Sequence, residues 1–270
     1  MLAAWLRGSD EGLTAVGATA PDARAACRCE DCLHSGDALA VPSRDGAGLR
    51  YHRSMIAVRG LLAAALLALP LTSPAAAAPT LVVLPLADAV AALPAANESR
   101  DGYSRDKFRH WVDADRDSCN TRMEVLLAES LVEPTVEAGC RVTAGEWLSY
   151  YDGVTVTVPS GLDIDHMVPL AEAWDSGASA WTAQRREAYA NDLDAERSLV
   201  AVTARTNRSK ADQDPAEWLP SAASAHCTYT VDWVGTKLRW GLTVDDTERA
   251  ALAQLADGCT GEIVEYEPAP

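Results

Sequence analysis

The segment Gly161-Leu162-Asp163-Ile164-Asp165-His166-Met167-Val168-Pro169 sets a carboxylate directly before a histidine, and Asn207-Arg208-Ser209-Lys210 follows further along the chain. A carboxylate and an amide oxygen are hard ligands suited to Mg²⁺ or Mn²⁺, in sites that leave several positions to water and substrate phosphate. An imidazole beside such an ion can take a proton from water near neutral pH. An aspartate-histidine pair at a strand end is often no more than a hydrogen-bonded pair. The second group of residues is what turns it into a candidate site. Asp163 shares a strand face with Asp165, because side chains alternate along a strand. It could support the ion at one remove, or simply solvate the strand end.

The run Asp165-His166-Met167-Val168-Pro169 followed by Asn207-Arg208-Ser209-Lys210 resembles the HNH family of ββα-metal (His-Me finger) endonucleases. It is most similar to exported, actinobacterial-type HNH proteins that also carry His110-Trp111-Val112-Asp113-Ala114-Asp115 and Asp214-Pro215-Ala216-Glu217-Trp218. The resemblance runs from about Tyr103 to Cys259. It implies that Asp165 and Asn207 bind one divalent metal, Mg²⁺ or Mn²⁺, and that His166 is the general base. Lys210, with Arg208 as second choice, would offset charge in the transition state. The substrate would be DNA, with RNA as an alternative, and the products 5′-phosphate and 3′-hydroxyl ends. One position departs from the family: the middle asparagine that braces the histidine's loop falls near Ser198, with Asn191 seven residues earlier.

A second metal is suggested by the acidic stretch from Asp113 to Glu124. Asp113, Asp115, Asp117 and Glu124 stand at positions 1, 3, 5 and 12 of what reads as an EF-hand-type calcium loop. Ser118 replaces the usual glycine and Asn120 the usual apolar residue. The competing reading is an acidic surface loop pinned by a disulfide at Cys119; a calcium ion there would be structural.

The elements that position these residues make an α+β domain: a ββα-metal core decorated by helices and stapled by disulfides. Val154 to Val158 alternates with β-branched residues, a strand, and Leu162 to His166 is a second. Leu199 to Val202 is a third, followed by a polar loop through Asp214 that carries Asn207. Helices are expected over Arg105 to Val112, Met123 to Val132, Leu170 to Trp174, Ser179 to Leu193, Tyr229 to Trp240 and Val244 to Ala256, the last capped by Thr243. Asp214 and Pro215 should open a short helix carrying Trp218. Trp147, Trp174, Trp181, Trp218, Trp233 and Trp240 are read as core, with stacking on bases the alternative for one or two. Arg185, Arg186, Arg205 and Arg208 are candidate phosphate contacts.

Leu61 to Leu69 is a short apolar run after Met55 and Arg59 and before small residues, the layout of a signal peptide over 55–78 and too short to span a bilayer. The expectation is therefore a secreted, extracellular protein without a stable membrane anchor. Met55 is read as the true start and residues 1–54 as untranslated or disordered sequence. The irregular spacing of Cys27, Cys29, Cys32 and His34 there counts against zinc. Residues 79–97 read as an Ala/Pro-rich linker, 98–262 as the nuclease domain and 263–270 as a tail. The four remaining cysteines suit an exported chain, and the pairing favoured is Cys119 with Cys140 and Cys227 with Cys259, each flanking one helical segment.

The formal net charge of −16 argues against a nonspecific nucleic-acid binder, which usually presents a basic face. An enzyme needs only a local positive field, part of which a bound cation supplies. The rival is a noncatalytic exported calcium-binding or surface module that keeps the fold without turnover.

Overall fold

The computed structural model describes residues 80–270. The expected signal peptide and the Cys27, Cys29, Cys32, His34 group lie outside them. The described chain is a mixed α+β fold with four short antiparallel strand pairs, seven α-helices and two disulfides.

The central pair is β6 (Leu162–His166) with β7 (Leu199–Thr203), in register from Leu162 opposite Thr203 to His166 opposite Leu199. Alternation sends Leu162, Ile164, Leu199 and Ala201 into a small core with Val125, Leu126, Val142 and Trp147. Val200 and Val202, beside Asp165 and Asp163, turn to the larger core that includes Phe108, Trp174, Tyr189, Tyr229 and Trp233. Residues 204–210 form α5 (Ala204–Lys210), where a polar loop was expected. Thr203 is both the last residue of β7 and the N-cap of α5, its hydroxyl accepting from the Thr206 amide. A strand residue doubling as a cap hides the helix start.

Around this centre lie α2 (Thr121–Ala128), the hairpins β2 (Thr135–Glu137) with β3 (Arg141–Ala144) and β4 (Trp147–Ser149) with β5 (Val154–Val156), α3 (Leu170–Asp175) and α4 (Ala183–Ala190). Helix α4 is shorter than the Ser179–Leu193 expected, because Thr182 caps it by accepting from the Arg185 amide and a 3-10 turn occupies 178–180. Residues 105–112 hold only a 3-10 turn at Arg105–Lys107 instead of a helix. Their polar groups are drawn to Asn191, whose side chain accepts from Val112 N (3.0 Å) and donates to the Arg109 carbonyl (2.8 Å).

Helix α6 (His226–Trp240) is closed by Gly241 in the left-handed region (φ 66°), and α7 (Asp246–Gly258) follows. Its cap is Asp245, accepting from the Glu248 amide at 2.7 Å; Thr243 instead donates to the Ser176 carbonyl. The Asp214-Pro215 segment makes a single turn rather than a helix, with Trp218 N donating to the Asp214 carbonyl. Cys119 bonds Cys140, and Cys227 bonds Cys259, joining the start of α6 to the end of α7.

The reading of 79–97 as linker and 263–270 as tail does not hold. β1 (Val82–Pro85) pairs with β8 (Ile263–Tyr266), and α1 (Leu86–Ala92) buries Leu86, Ala89 and Val90 in the larger core. The alanines that made this stretch look like a linker let α1 lie close against α6 and α7. Removing residues 262–270 should therefore cost more than ~2 kcal/mol, since Val264 is fully buried and Arg239 loses the Glu267 carbonyl. Urea unfolding of the truncated chain checks this; an unchanged midpoint would restore the tail.

Three carboxyls, Glu129, Asp232 and Glu248, are pushed up to about 7 by burial. They keep a proton that the unfolded chain releases near pH ~4, so each removes stability as pH rises from there to about 7. His166, held down at about 3 by burial, acts the other way between pH 3 and 6.5. These three, with Glu98 pushed up to about 8 in the same sense, outweigh His166 and predict a higher urea midpoint at pH 5 than at pH 8. A midpoint rising from pH 5 to 8 would contradict these burial effects.

Candidate functional site

Asp165, His166, Asn207 and Arg208 line one cavity of about 260 Å³, together with Arg105, Ile164, Pro169, Leu170, Ala211 and Asp212. β6 delivers the first two and α5 the next two; α5 packs on the strand face that carries Asp163 and Asp165.

Asp165 is 5% exposed. Its Oδ2 accepts from Lys210 Nζ at 2.5 Å and from the Tyr151 hydroxyl at 2.7 Å. Both bonds fall on one oxygen, which leaves Oδ1 free for another ligand. Burial pushes the carboxyl up, and Lys210 pulls it back.

His166 is equally buried, and its Nε2 lies 3.0 Å from the Ala190 carbonyl. A carbonyl only accepts, so Nε2 carries the ring proton and Nδ1 keeps a lone pair. Burial is the main reason the imidazolium is disfavoured; the Ala190 carbonyl works against this effect, and the like charge of Arg105 adds to it. The ring is therefore neutral at physiological pH. Tyr189 stacks on it at 6.3 Å and Trp111 lies tilted at 5.7 Å, which hold its plane.

Asn207 donates from Nδ2 to Asp163 Oδ2 at 3.3 Å, which turns its Oδ1 away from that carboxylate. Asp163 thus serves as the partner that orients Asn207, and Arg208 Nε sits 3.7 Å from the same oxygen. Asp165 Oδ1 and Asn207 Oδ1 are two hard, uncommitted oxygens lining a cavity with room for water. Such a donor set fits a hard divalent cation.

Lys210 is not at the cavity. It is fully buried, and its Nζ is surrounded by Asp165, the carbonyls of His166 (3.0 Å) and Met167 (2.7 Å), and the rings of Tyr151, Tyr229 and Trp233. A group enclosed in this way holds the turn after His166 and cannot reach a phosphate in the cavity, so the expectation of a transition-state contact is corrected to a buried counter-charge. Arg208 is the exposed cation, its side chain 76% accessible.

Ser198 donates to Asp192 at 2.8 Å, and its carbonyl accepts from Met167 N. Asp192 also takes Arg239 and Trp240. Asn191 uses both ends of its amide on the Arg109–Thr121 loop and α4: besides Val112 and Arg109, it accepts from the Thr121 hydroxyl and donates to the Glu187 carbonyl. Bracing near the histidine is thus divided between the two positions.

Arg185 and Arg186 are not free for phosphate. Arg185 lies over Trp181 and Trp240, and Arg186 donates to the carbonyls of Lys107, Ala178 and Trp181. Arg205 is exposed. Trp147, Trp174, Trp233 and Trp240 are core, and Trp181 and Trp218 pack half-buried against it.

In the acidic loop, Asp113, Asp115 and Asp117 each bring an oxygen within 4.8 Å of the others, and Asp117 and Glu124 do so with Cys119. This cluster is capable of coordinating a divalent ion. Cys119 lies in a disulfide, so the ligands there are the carboxylates. Arg116 and Ser118 take left-handed backbone (φ 65° and 84°), the latter where the EF-hand pattern has glycine.

Arg105 and Tyr151 escaped sequence reasoning. Both come from segments distant from the motif, and no spacing connects them to it.

Residues 104–255 match the family described as GmrSD restriction endonucleases, C-terminal domain. A chain from Arthroderma benhamiae named "Uncharacterized secreted protein" is 44% identical over 160 residues, which is 59% of this chain and 77% of that one. No solved structure matches.

Substituting Lys210→Met strands Asp165 in a buried site and should cost about 3–5 kcal/mol of stability. Arg208→Ala, at an exposed position, should stay within about 0.5 kcal/mol. Urea unfolding of both variants separates a buried counter-charge from a surface cation, and equal small losses would refute the assignment for Lys210.

Proposed function

Because the chain belongs to the family of the C-terminal domain of GmrSD restriction endonucleases, we propose that it is a secreted, metal-dependent HNH-type endonuclease that hydrolyses phosphodiester bonds of DNA or RNA. The observation that carries this reading is the convergence of Asp165, His166 and Asn207 on one cavity, with the His166 lone pair left free. In this reading β6, β7 and α5 are the ββα-metal core. Secretion is supported by the leader and by the name of the Arthroderma benhamiae relative.

Asp165 Oδ1 and Asn207 Oδ1 would hold the divalent metal, Mg²⁺ or Mn²⁺. When bound, that ion polarises the phosphate and stabilises the leaving oxygen. His166 Nδ1 takes the proton of a water, whose oxygen bonds to phosphorus as the bond to the 3′ oxygen breaks; that oxygen leaves with the bonding pair and takes a proton from solvent water. The products are a 5′-phosphate and a 3′-hydroxyl. The Ala190 carbonyl keeps the imidazole in the tautomer that can act as base, and stabilises the imidazolium formed once the proton arrives. Arg208 and Arg105 at the cavity rim supply the local positive charge that an acidic surface otherwise denies a polyanion. Asp163 holds the Asn207 Nδ2, which leaves Oδ1 as the atom that would meet the ion.

Plasmid and RNA cleavage by the oxidised protein with Mg²⁺ or Mn²⁺ tests this. Cutting should vanish with EDTA and fall at least ~100-fold in His166→Ala, while Arg208→Ala should weaken cleavage without loss of fold. A folded wild-type protein that cuts neither substrate with either metal would leave the noncatalytic binding module as the better account. Cutting that survives His166→Ala would refute the base.

A further inference from the structure

Away from the cavity, Glu98, Glu172 and Asp175 bring one carboxylate oxygen each to within 4.8 Å of one another. Glu172 and Asp175 come from α3, and Glu98 from the segment that runs between α3 and the start of α7. That segment is tied at both sides: Ser99 N donates to the Asp175 carbonyl, and Ala96 N to the Val244 carbonyl.

The charge around these three oxygens is incompletely answered. Glu172 Oε1 accepts from the buried Lys237 at 2.8 Å, but Lys237 is shared with Glu248 at 2.6 Å. Asp175 gives Oδ2 to Arg100 at 2.6 Å, and Arg100 is shared with Asp212. The side chain of Asp175 is only 7% exposed, yet its Oδ1 is buried without any hydrogen-bond partner. Glu98 Oε1 is in the same condition. Two buried, unsatisfied carboxylate oxygens in one cluster of like charges need a proton or a cation between them.

We propose that Glu98, Glu172 and Asp175 form a binding site for a divalent cation, with Ca²⁺ the ion that fits. Calcium takes six to eight oxygens at about 2.3–2.6 Å in flexible geometry, which three carboxylate oxygens within 4.8 Å of one another and added water can meet. Mg²⁺ demands a tighter octahedron at about 2.1 Å. Each of the three carboxyls supplies one oxygen, Glu98 and Asp175 each have one oxygen without another partner, and half-buried Glu98 leaves room for water. The ion ties the 94–100 segment to the end of α3. It is separate from the acidic loop of Asp113 to Glu124 and from the Asp165-Asn207 pair.

The test is calorimetric titration of the full oxidised chain, stripped of metal, with CaCl₂, followed by thermal unfolding with and without the salt. Asp115→Asn/Asp117→Asn serves as the parent, so that the acidic loop does not contribute. This parent should bind calcium with Kd of about 1 mM or tighter, the range of extracellular modules, and unfold at a higher temperature in its presence. Adding Glu98→Gln, with circular dichroism to confirm the fold, should remove one bound equivalent and most of the thermal shift. Asp175→Asn should do the same. A parent that binds no calcium overturns the proposal, as does a titration unaltered by Glu98→Gln. Should Glu98→Gln raise the calcium-free unfolding temperature of a parent that binds none, the cluster shares a proton instead.

Discussion

The geometry of the site depends on one buried ion pair, Lys210 with Asp165. Burying an ammonium and a carboxylate costs several kcal/mol each unless both are fully coordinated. Here the ammonium has the carboxylate, two carbonyls and three aromatic rings, and the carboxylate has a tyrosine hydroxyl besides. The pair fastens the end of α5 to the end of β6 and to the turn beyond it. Because Oδ2 of Asp165 is consumed in this way, Oδ1 is the oxygen left over. Because the carbonyls of His166 and Met167 face Lys210, the backbone at the histidine has little freedom.

The irregular parts are held by similar means. Asn191 follows directly on Ala190, whose carbonyl sets the His166 tautomer, and its amide supplies four hydrogen bonds to the loop before α2 and to α4. Asp192 gathers Ser198, Arg239 and Trp240 next to it. A buried polar group gives specificity when its atoms have partners, and the bracing groups Asn191, Asp192 and Ser198 behind the histidine are paired in this way. In the Glu98-Glu172-Asp175 cluster, by contrast, Glu98 Oε1 and Asp175 Oδ1 have no partner.

Under the proposed function, an acidic protein meets a polyanionic substrate, and the conflict is resolved locally. Arg105 and Arg208 reach the cavity from different segments, whereas Arg185 and Arg186 are spent on carbonyls and indole faces. Net charge governs encounter at distance, but within a Debye length of about 10 Å the nearest groups dominate.

The sequence by itself was enough for the pieces whose cause is local. Alternation with β-branched and apolar residues located β6 to the residue and β7 to within one, because strand periodicity is a property of the segment itself. The adjacency of Asp165 and His166 and the even number of exported cysteines were legible for the same reason, and the favoured disulfide pairing is the one found. Tertiary structure decided what depends on partners far along the chain. Lys210 reads as an exposed cation beside an asparagine until Tyr151, Tyr229 and Trp233 close over it. Arg105 reads as part of a helix until Asn191 claims the polar groups that the helix would need. Residues 79–97 read as linker until β8, nearly at the other end of the chain, pairs with β1. Burial and long-range hydrogen bonding set the role of a polar side chain, and neither is encoded in its neighbours along the sequence.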